Sequence, residues 1–237
     1  MGRIAGKNGA LYEALGIYVV YLVTGVLFYT LKPAHFPELP ADAPVLRLEG
    51  DLVFWIKVHA WNPFFTAIGV AMVGWFSRKM TGGHLAVRLA SSVLYALLPL
   101  FVLLGYTTNS ISKPVFAVGL LALAAASVPG FRKIERGTWR PLISVFLSVN
   151  AVAVAALPLF AVSIAVRSAL AYNILEIGMM FWMLGLAAYG VSRCLGLQSA
   201  RAFCAIFLST LAQVFIVFSL HMLDIIPKSA LKALMTI

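Results

Sequence analysis

The first residue whose type could do chemistry is a carboxylate inside an apolar run. Glu176 falls in AYNILEIGMMFWMLGLAAYGV, a stretch with no other acid. A carboxylate within a membrane is costly, so it carries either a partner or a task. Snorkelling to the outer interface, or pairing with Arg167, would satisfy it without any function. Asn150 and Gln213 interrupt two further apolar runs, and each can bridge helices through hydrogen bonds. Together, Asn150, Glu176, Gln213 and His221 are candidates to line a polar path, which is the basis of a small-permease reading.

Histidines offer the second chemistry. A pair facing across a bundle can hold haem, and a histidine with carboxylates can hold a metal. His35, His59 and His221 are expected at the outer face, with Glu176 and Asp224 at similar depth. His59 and His221 are therefore candidates for a haem- or quinone-binding anchor of a redox complex. No HxxxH spacing exists, however, and the candidates come from separate segments. Interfacial placement accounts for them, so neither a resident cofactor nor a metal is expected. His84 lies in a basic turn and needs no special role. There is also no nucleotide-binding loop, no GxSxG and no HExxH, and no Ser or Thr has an acid–base partner at its depth. An enzyme is not expected.

The elements that must position these residues follow from composition. The chain has 237 residues, of which 62% are hydrophobic and 11% charged. A soluble domain needs about a quarter of its residues charged to cover its surface. Here the apolar residues come in blocks near the roughly 20 needed to cross a bilayer as a helix. The backbone must satisfy its own hydrogen bonds at that depth, and continuous runs argue for helices rather than a barrel. The expected fold is all-α, a single integral membrane domain (1–237) of about six to seven transmembrane helices.

Seven spans can be placed: Leu15 to Leu31, Phe64 to Phe76, Leu85 to Tyr106, Pro114 to Val128, Pro141 to Val166, Tyr172 to Val191 and Ala202 to Met222. The first is long enough to cross and ends in no small-residue cleavage site, so it reads as a membrane helix, not a signal peptide. A polar connection with Pro33, Pro37, Pro40 and Pro44 follows it, and these prolines prevent a regular helix there. DLVFWIKVHAW, Asp51 to Trp61, is amphipathic, with Leu52, Trp55, Ile56 and His59 on one face. It would lie on the membrane or begin the second span, with a break at Asn62-Pro63. Pro99 is expected to kink the third span. Cys194 and Cys204 make no metal or disulfide framework and read as packing residues.

Net charge is +10, from 18 Lys and Arg against 8 Asp and Glu. The cations cluster at the ends of apolar blocks, as topology signals and headgroup contacts do, and not as a nucleic-acid surface. One side holds Arg3, Lys7, Arg78, Lys79, Arg88, Arg132, Lys133, Arg136, Arg140, Arg193 and Arg201. The other holds Lys32, Arg47, Lys57, Lys113, Arg167, Lys228 and Lys232, with most of the loop acids. With seven spans the positive-inside rule puts the N-terminus in the cytoplasm and the C-terminus outside, in an inner or plasma membrane.

Two hairpins carry a resemblance. WFSRKMTGGHLAVRLASSVLYALLPL, Trp75 to Leu100, has a Gly-Gly turn, a basic helix start and a proline-bearing span. FWMLGLAAYGVSRCLGLQSARAFCAIFLSTLAQVFIVFSL, Phe181 to Leu220, echoes it through LGL and ARAFCAIFLSTLA. This pattern resembles the YIP family of membrane proteins (Ypt/Rab-interacting proteins and their prokaryotic relatives). That family has, as a rule, fewer spans than seven. The resemblance implies a non-enzymatic membrane protein acting as a scaffold or accessory subunit of a larger membrane assembly. Its partners would be membrane lipids and other membrane subunits, with no nucleic acid. It supplies no catalytic residue. The echo between the hairpins also fits an internal repeat, which favours the permease reading.

Overall fold

In a computed structural model the described residues are 8–33, 36, 50–132 and 134–231. They are all-α. The helices in chain order are α1 (Asn8–Leu31), α2 (Leu52–His59), α3 (Asn62–Met80), α4 (Leu85–Thr107), α5 (Lys113–Arg132), α6 (Arg136–Val149), α7 (Ala151–Ala165), α8 (Ala169–Leu195) and α9 (Ser199–Met222). Among the described residues, six helices are long and apolar enough to cross a membrane: α1, α4, α5, the α6–α7 pair taken as one, α8 and α9. The chain is thus a multi-span membrane protein with a helical bundle. His35 and most of the proline-rich connection lie outside the described residues.

The helices are longer than the apolar runs. α1 begins at Asn8, well before Leu15, and α5 continues past Val128 through Pro129 to Arg132. Much of PGFRKIERGTWR is therefore helix rather than loop, because α6 already starts at Arg136. Polar residues at the ends of a span still have helical backbone to complete, and hydropathy does not register them. The expected fifth span is broken at Asn150, which caps α6 and precedes α7. α2 is separate from α3. Asp51 accepts a hydrogen bond from the Phe54 amide and starts α2, and the break falls at Ala60–Trp61, just before Asn62-Pro63. The face of α2 is also turned from expectation. Trp55, Val58 and His59 are buried, while Leu52 and Ile56 are about half exposed. Tyr29 stacks on Trp55 at 4.8 Å between ring centroids and sets that orientation.

α3 is the exception among the long helices. Asn62 begins it and Arg78 and Lys79 end it, so it is not among the six apolar spans. It is nevertheless deeply packed, with Val73, Trp75, Phe76 and Met80 buried. Its neighbour is α9, and the two run antiparallel. Gln213 Nε2 donates to the Phe65 carbonyl at 2.9 Å near the start of α3. At its end, the Arg201 guanidinium donates to the carbonyls of Met80 (2.6 Å), Gly82 (2.9 Å) and Gly83 (2.7 Å). The last carbonyls of a helix have no partner within it, and a cation there also meets the negative end of its dipole. Gly82 and Gly83 both have positive φ, 69° and 64°, which only glycine adopts freely.

Two groups of helices result. α3, α4, α5 and α9 form one; α1, α2, α6, α7 and α8 form the other. α8 against α9 and α3 against α6 join them. Gly74 lets Trp139 of α6 approach α3, at 3.1 Å from where a Cβ would stand. The two hairpins named above turn at the same end of the bundle. There stand Arg78, Lys79, Arg88, Arg132, Arg140, Arg193 and Arg201. At the opposite end Lys113 of α5 forms an ion pair with Asp224 after α9. Past α9 the chain folds back, and Ile226, Ala230 and Leu231 bury against Phe65 and Val217.

Arg201 is the most exposed test of this arrangement. Hydrogen bonds to a charged donor contribute about 1.5–3 kcal/mol each at best, and here three share one group. Arg201→Ala should destabilise the detergent-solubilised protein by about 2 kcal/mol, seen as a lower melting temperature. An unchanged transition would mean that the turn holds itself.

Candidate functional site

Two cavities with polar side chains on their walls lie in the bundle, and they share Tyr21 of α1 as a wall. The larger, of about 300 Å³, sits where the two helix groups meet. Its polar lining is Tyr21, Asn62, Thr66, Asn150, Thr210 and Gln213, from α1, α3, α9 and the α6–α7 junction. Asn150 and Gln213 are thus brought together, as the polar-path reading requires. Their amides are fixed by backbone. Asn150 Nδ2 donates to the carbonyls of Phe146 (2.9 Å) and Leu147 (3.2 Å), so it closes the end of α6. Gln213 reaches across to Phe65, and Gly69 makes room: a Cβ there would stand 2.9 Å from Gln213 Oε1. Thr66 shares a hydrogen bond of 3.0 Å with Tyr18.

Asn62 differs from these. Its Nδ2 is buried and has no hydrogen-bond partner among the described residues. A buried donor left unmade costs about 1–3 kcal/mol; the hydroxyls of Ser77, Ser92, Ser144 and Ser219 are also buried without a partner among the described residues, but none of them lines this cavity. The cavity wall therefore contains donors and acceptors that are fixed in place, one unspent donor, and no charged side chain.

The smaller cavity, of about 50 Å³, holds Tyr21, Thr24, Tyr29, His59, Tyr172 and Glu176 on its wall. A water needs about 10–15 Å³ of such space, so this cavity suits a few waters. Glu176 and His59 come together here. His59 Nδ1 lies 3.0 Å from the Trp55 carbonyl, which can only accept, so Nδ1 carries the proton and Nε2 is the free base. Nε2 faces Gly25, where a Cβ would stand 3.0 Å away. Burial pushes the His59 pKa below its ordinary value of 6.5, and the bond to Trp55 opposes this only in part. The cation beside Glu176 is Lys32, directly after α1, and not Arg167. Lys32 donates to the Tyr172 hydroxyl at 3.0 Å, and its ammonium lies 4.6 Å from that ring's centroid. Burial lowers the Lys32 pKa, and the Glu176 charge pulls it back up. Both cavities are small and aromatic-walled, and the polar groups set among their largely apolar walls can form hydrogen bonds.

His221 belongs to neither cavity. Its Nδ1 donates to the Ile226 carbonyl at 2.8 Å and so holds the reversal after α9. The structure does not pair it with His59, whose ring lies among Gly25, Tyr29 and Trp55. No cluster of three or more metal-ligating side chains exists among the described residues. Sequence reasoning passed over Asn62, Thr66, Tyr21 and Lys32. Asn62 stands before a proline and reads as a break, while Tyr21 reads as an interfacial anchor. The one available signal was Asn62 and Thr66 four residues apart, on one helical face. Comparison with protein families, with curated proteins and with solved structures finds no match.

The His59 shift carries a pH dependence with a definite sign. The unfolded imidazole takes a proton near 6.5, the folded one only at lower pH. Its contribution is therefore complete above 6.5 and is lost as pH falls through the window below it. Melting temperatures measured from pH 8 to pH 5 should fall more steeply for the native chain than for His59→Gln. Parallel curves would show that His59 protonates in the fold as freely as in water.

Proposed function

We propose that this protein is a small membrane permease that binds an uncharged polar solute in the cavity lined by Asn62, Thr66, Asn150 and Gln213. The observation that carries the reading is the unpartnered, buried Asn62 amide on a wall otherwise made of fixed hydrogen-bonding groups. A charged solute would meet no counter-charge there; a neutral one with donors and acceptors would replace the water it leaves behind. The cavity volume of about 300 Å³ lies at the small end of ligand sites, which run from about 300 to 1,000 Å³. In this reading Glu176, His59 and Lys32 form a titratable group next to the path, at the end opposite the basic cluster. Binding is non-enzymatic. With α3 as a seventh crossing beside α9, the basic cluster faces the cytoplasm and so does the N-terminus.

A second reading rests on the α3–α4 hairpin. This is the segment that resembles the YIP family, and Arg201 clamps its Gly82-Gly83 turn into a fixed basic platform. A YIP-like accessory subunit would present that platform to a partner in the membrane assembly.

Flux separates them. Proteoliposomes followed by stopped-flow light scattering against urea, glycerol and other small neutral solutes should equilibrate at least one of these faster than empty liposomes. Gln213→Leu should abolish the gain, and Glu176→Gln should abolish it or remove its pH dependence. Swelling at the empty-liposome rate for every solute would contradict the permease reading and leave the accessory-subunit one.

A further inference from the structure

A third space has a different character. Between α3, α4, α5 and α9 runs a groove of about 640 Å³ whose wall is almost wholly apolar. Along α5 it extends from Ala117 to Phe131, 14 residues further on, or about 21 Å at 1.5 Å per residue. That is a long, narrow shape, and it opens sideways where Leu121 (69% exposed) and Val128 (42%) lie on the surface. It leads to the basic end of the bundle. Tyr95 and Ser127 line the groove near that end and share a hydrogen bond of 2.6 Å.

The mouth is cationic. Lys79 Nζ lies 4.9 Å over the Trp75 ring and 5.5 Å over the Tyr95 ring, so the ammonium sits at the edge of the groove wall. Arg132 follows Phe131, the last groove residue of α5. Arg88 stands two helical turns before Tyr95, on the same side of α4. The acids of this end among the described residues, Glu13 and Glu135, are both exposed, and neither is on a helix that lines the groove. Lys79 has aromatic contacts and, among the described residues, no carboxylate partner. An apolar slot about 21 Å long, open to the bilayer at its side and cationic at its mouth, is complementary to one kind of molecule. We propose that the groove binds a single anionic phospholipid, with one acyl chain between α4, α5 and α9 and the phosphodiester headgroup at Lys79 and Arg132. This site is separate from the polar cavities and does not depend on the permease reading.

Native mass spectrometry of the delipidated full-length protein tests it, with phosphatidylglycerol and phosphatidylcholine of identical chains as probes. One phosphatidylglycerol should bind about 25-fold more tightly than phosphatidylcholine, since each of the two cations near an anionic headgroup contributes about fivefold. Lys79→Gln with Arg132→Gln should erase that preference. Ala124→Trp, at an exposed position of the groove wall, should remove the tight site for either headgroup. Equal binding of both lipids, a preference that survives the double substitution, or a second copy of the chain in place of lipid would each overturn the proposal. Should Ala124→Trp fail to fold, the surface pair Lys79 and Arg132 still decides.

Discussion

The arrangement depends on α3 lying against α9. By itself α3 is a poor membrane helix, with an asparagine and a proline at its start and two cations at its end. It is placed by two side chains of α9 that satisfy α3 backbone groups. Gln213 takes the Phe65 carbonyl near one end, and Arg201 takes three carbonyls at the other. In a low-dielectric surrounding such bonds weigh more than in water, because the alternative is an unpaired polar group. Glycines at 69 and 74 then let Gln213 and Trp139 close on the same helix. Polar contacts therefore hold in the centre of the bundle a helix that hydropathy alone would leave out.

That placement creates the candidate site. Because α3 is central, its polar first turns face α1, α6 and α9 instead of lipid. Asn62 and Thr66 come with it, and Asn150 and Gln213 meet them from the far walls. On the other flank α3 forms part of the apolar groove with α4 and α5. One helix thus borders a polar chamber and a lipid-like slot. Beyond Tyr21, His59 from the short helix α2 and Glu176 from α8 line the smaller cavity, with Lys32 beside Glu176.

Much of the fold was legible in the chain, and the reason is physical. A span must be continuous, apolar and long enough, so runs such as LAVRLASSVLYALLPLFVLLGY or SARAFCAIFLSTLAQVFIVFSL show themselves. Glycines at the hairpin turn were legible for the same kind of reason, since Gly82 and Gly83 need positive φ. Pairings between helices were not legible. Nothing in the local sequence says that Lys32, rather than Arg167, stands beside Glu176, or that His221 spends its imidazole on Ile226. Polar residues inside apolar runs were legible one by one, and Asn150, Gln213 and Glu176 each line a cavity. Their division into two cavities, with His59 and Glu176 lining the same one, needed the packing of α1 and α2. The aromatic contact between Tyr29 and Trp55, which sets which face of α2 is buried, joins segments that the proline-rich connection separates.

The central claim is that the chamber between α1, α3, α6, α8 and α9 is a polar, solute-accessible space inside the membrane. Cysteine accessibility tests it most directly. With Cys194 and Cys204 replaced by serine, Thr66→Cys places a thiol on the chamber wall, and Ser209→Cys places one in the closed helix interface, where Ser209 is 1% exposed. In vesicles treated with a small water-soluble methanethiosulfonate, the cysteine at 66 should be labelled quickly and the one at 209 hardly at all. Equal, slow labelling of both would contradict the account, since it would mean that water and small polar solutes do not reach the chamber.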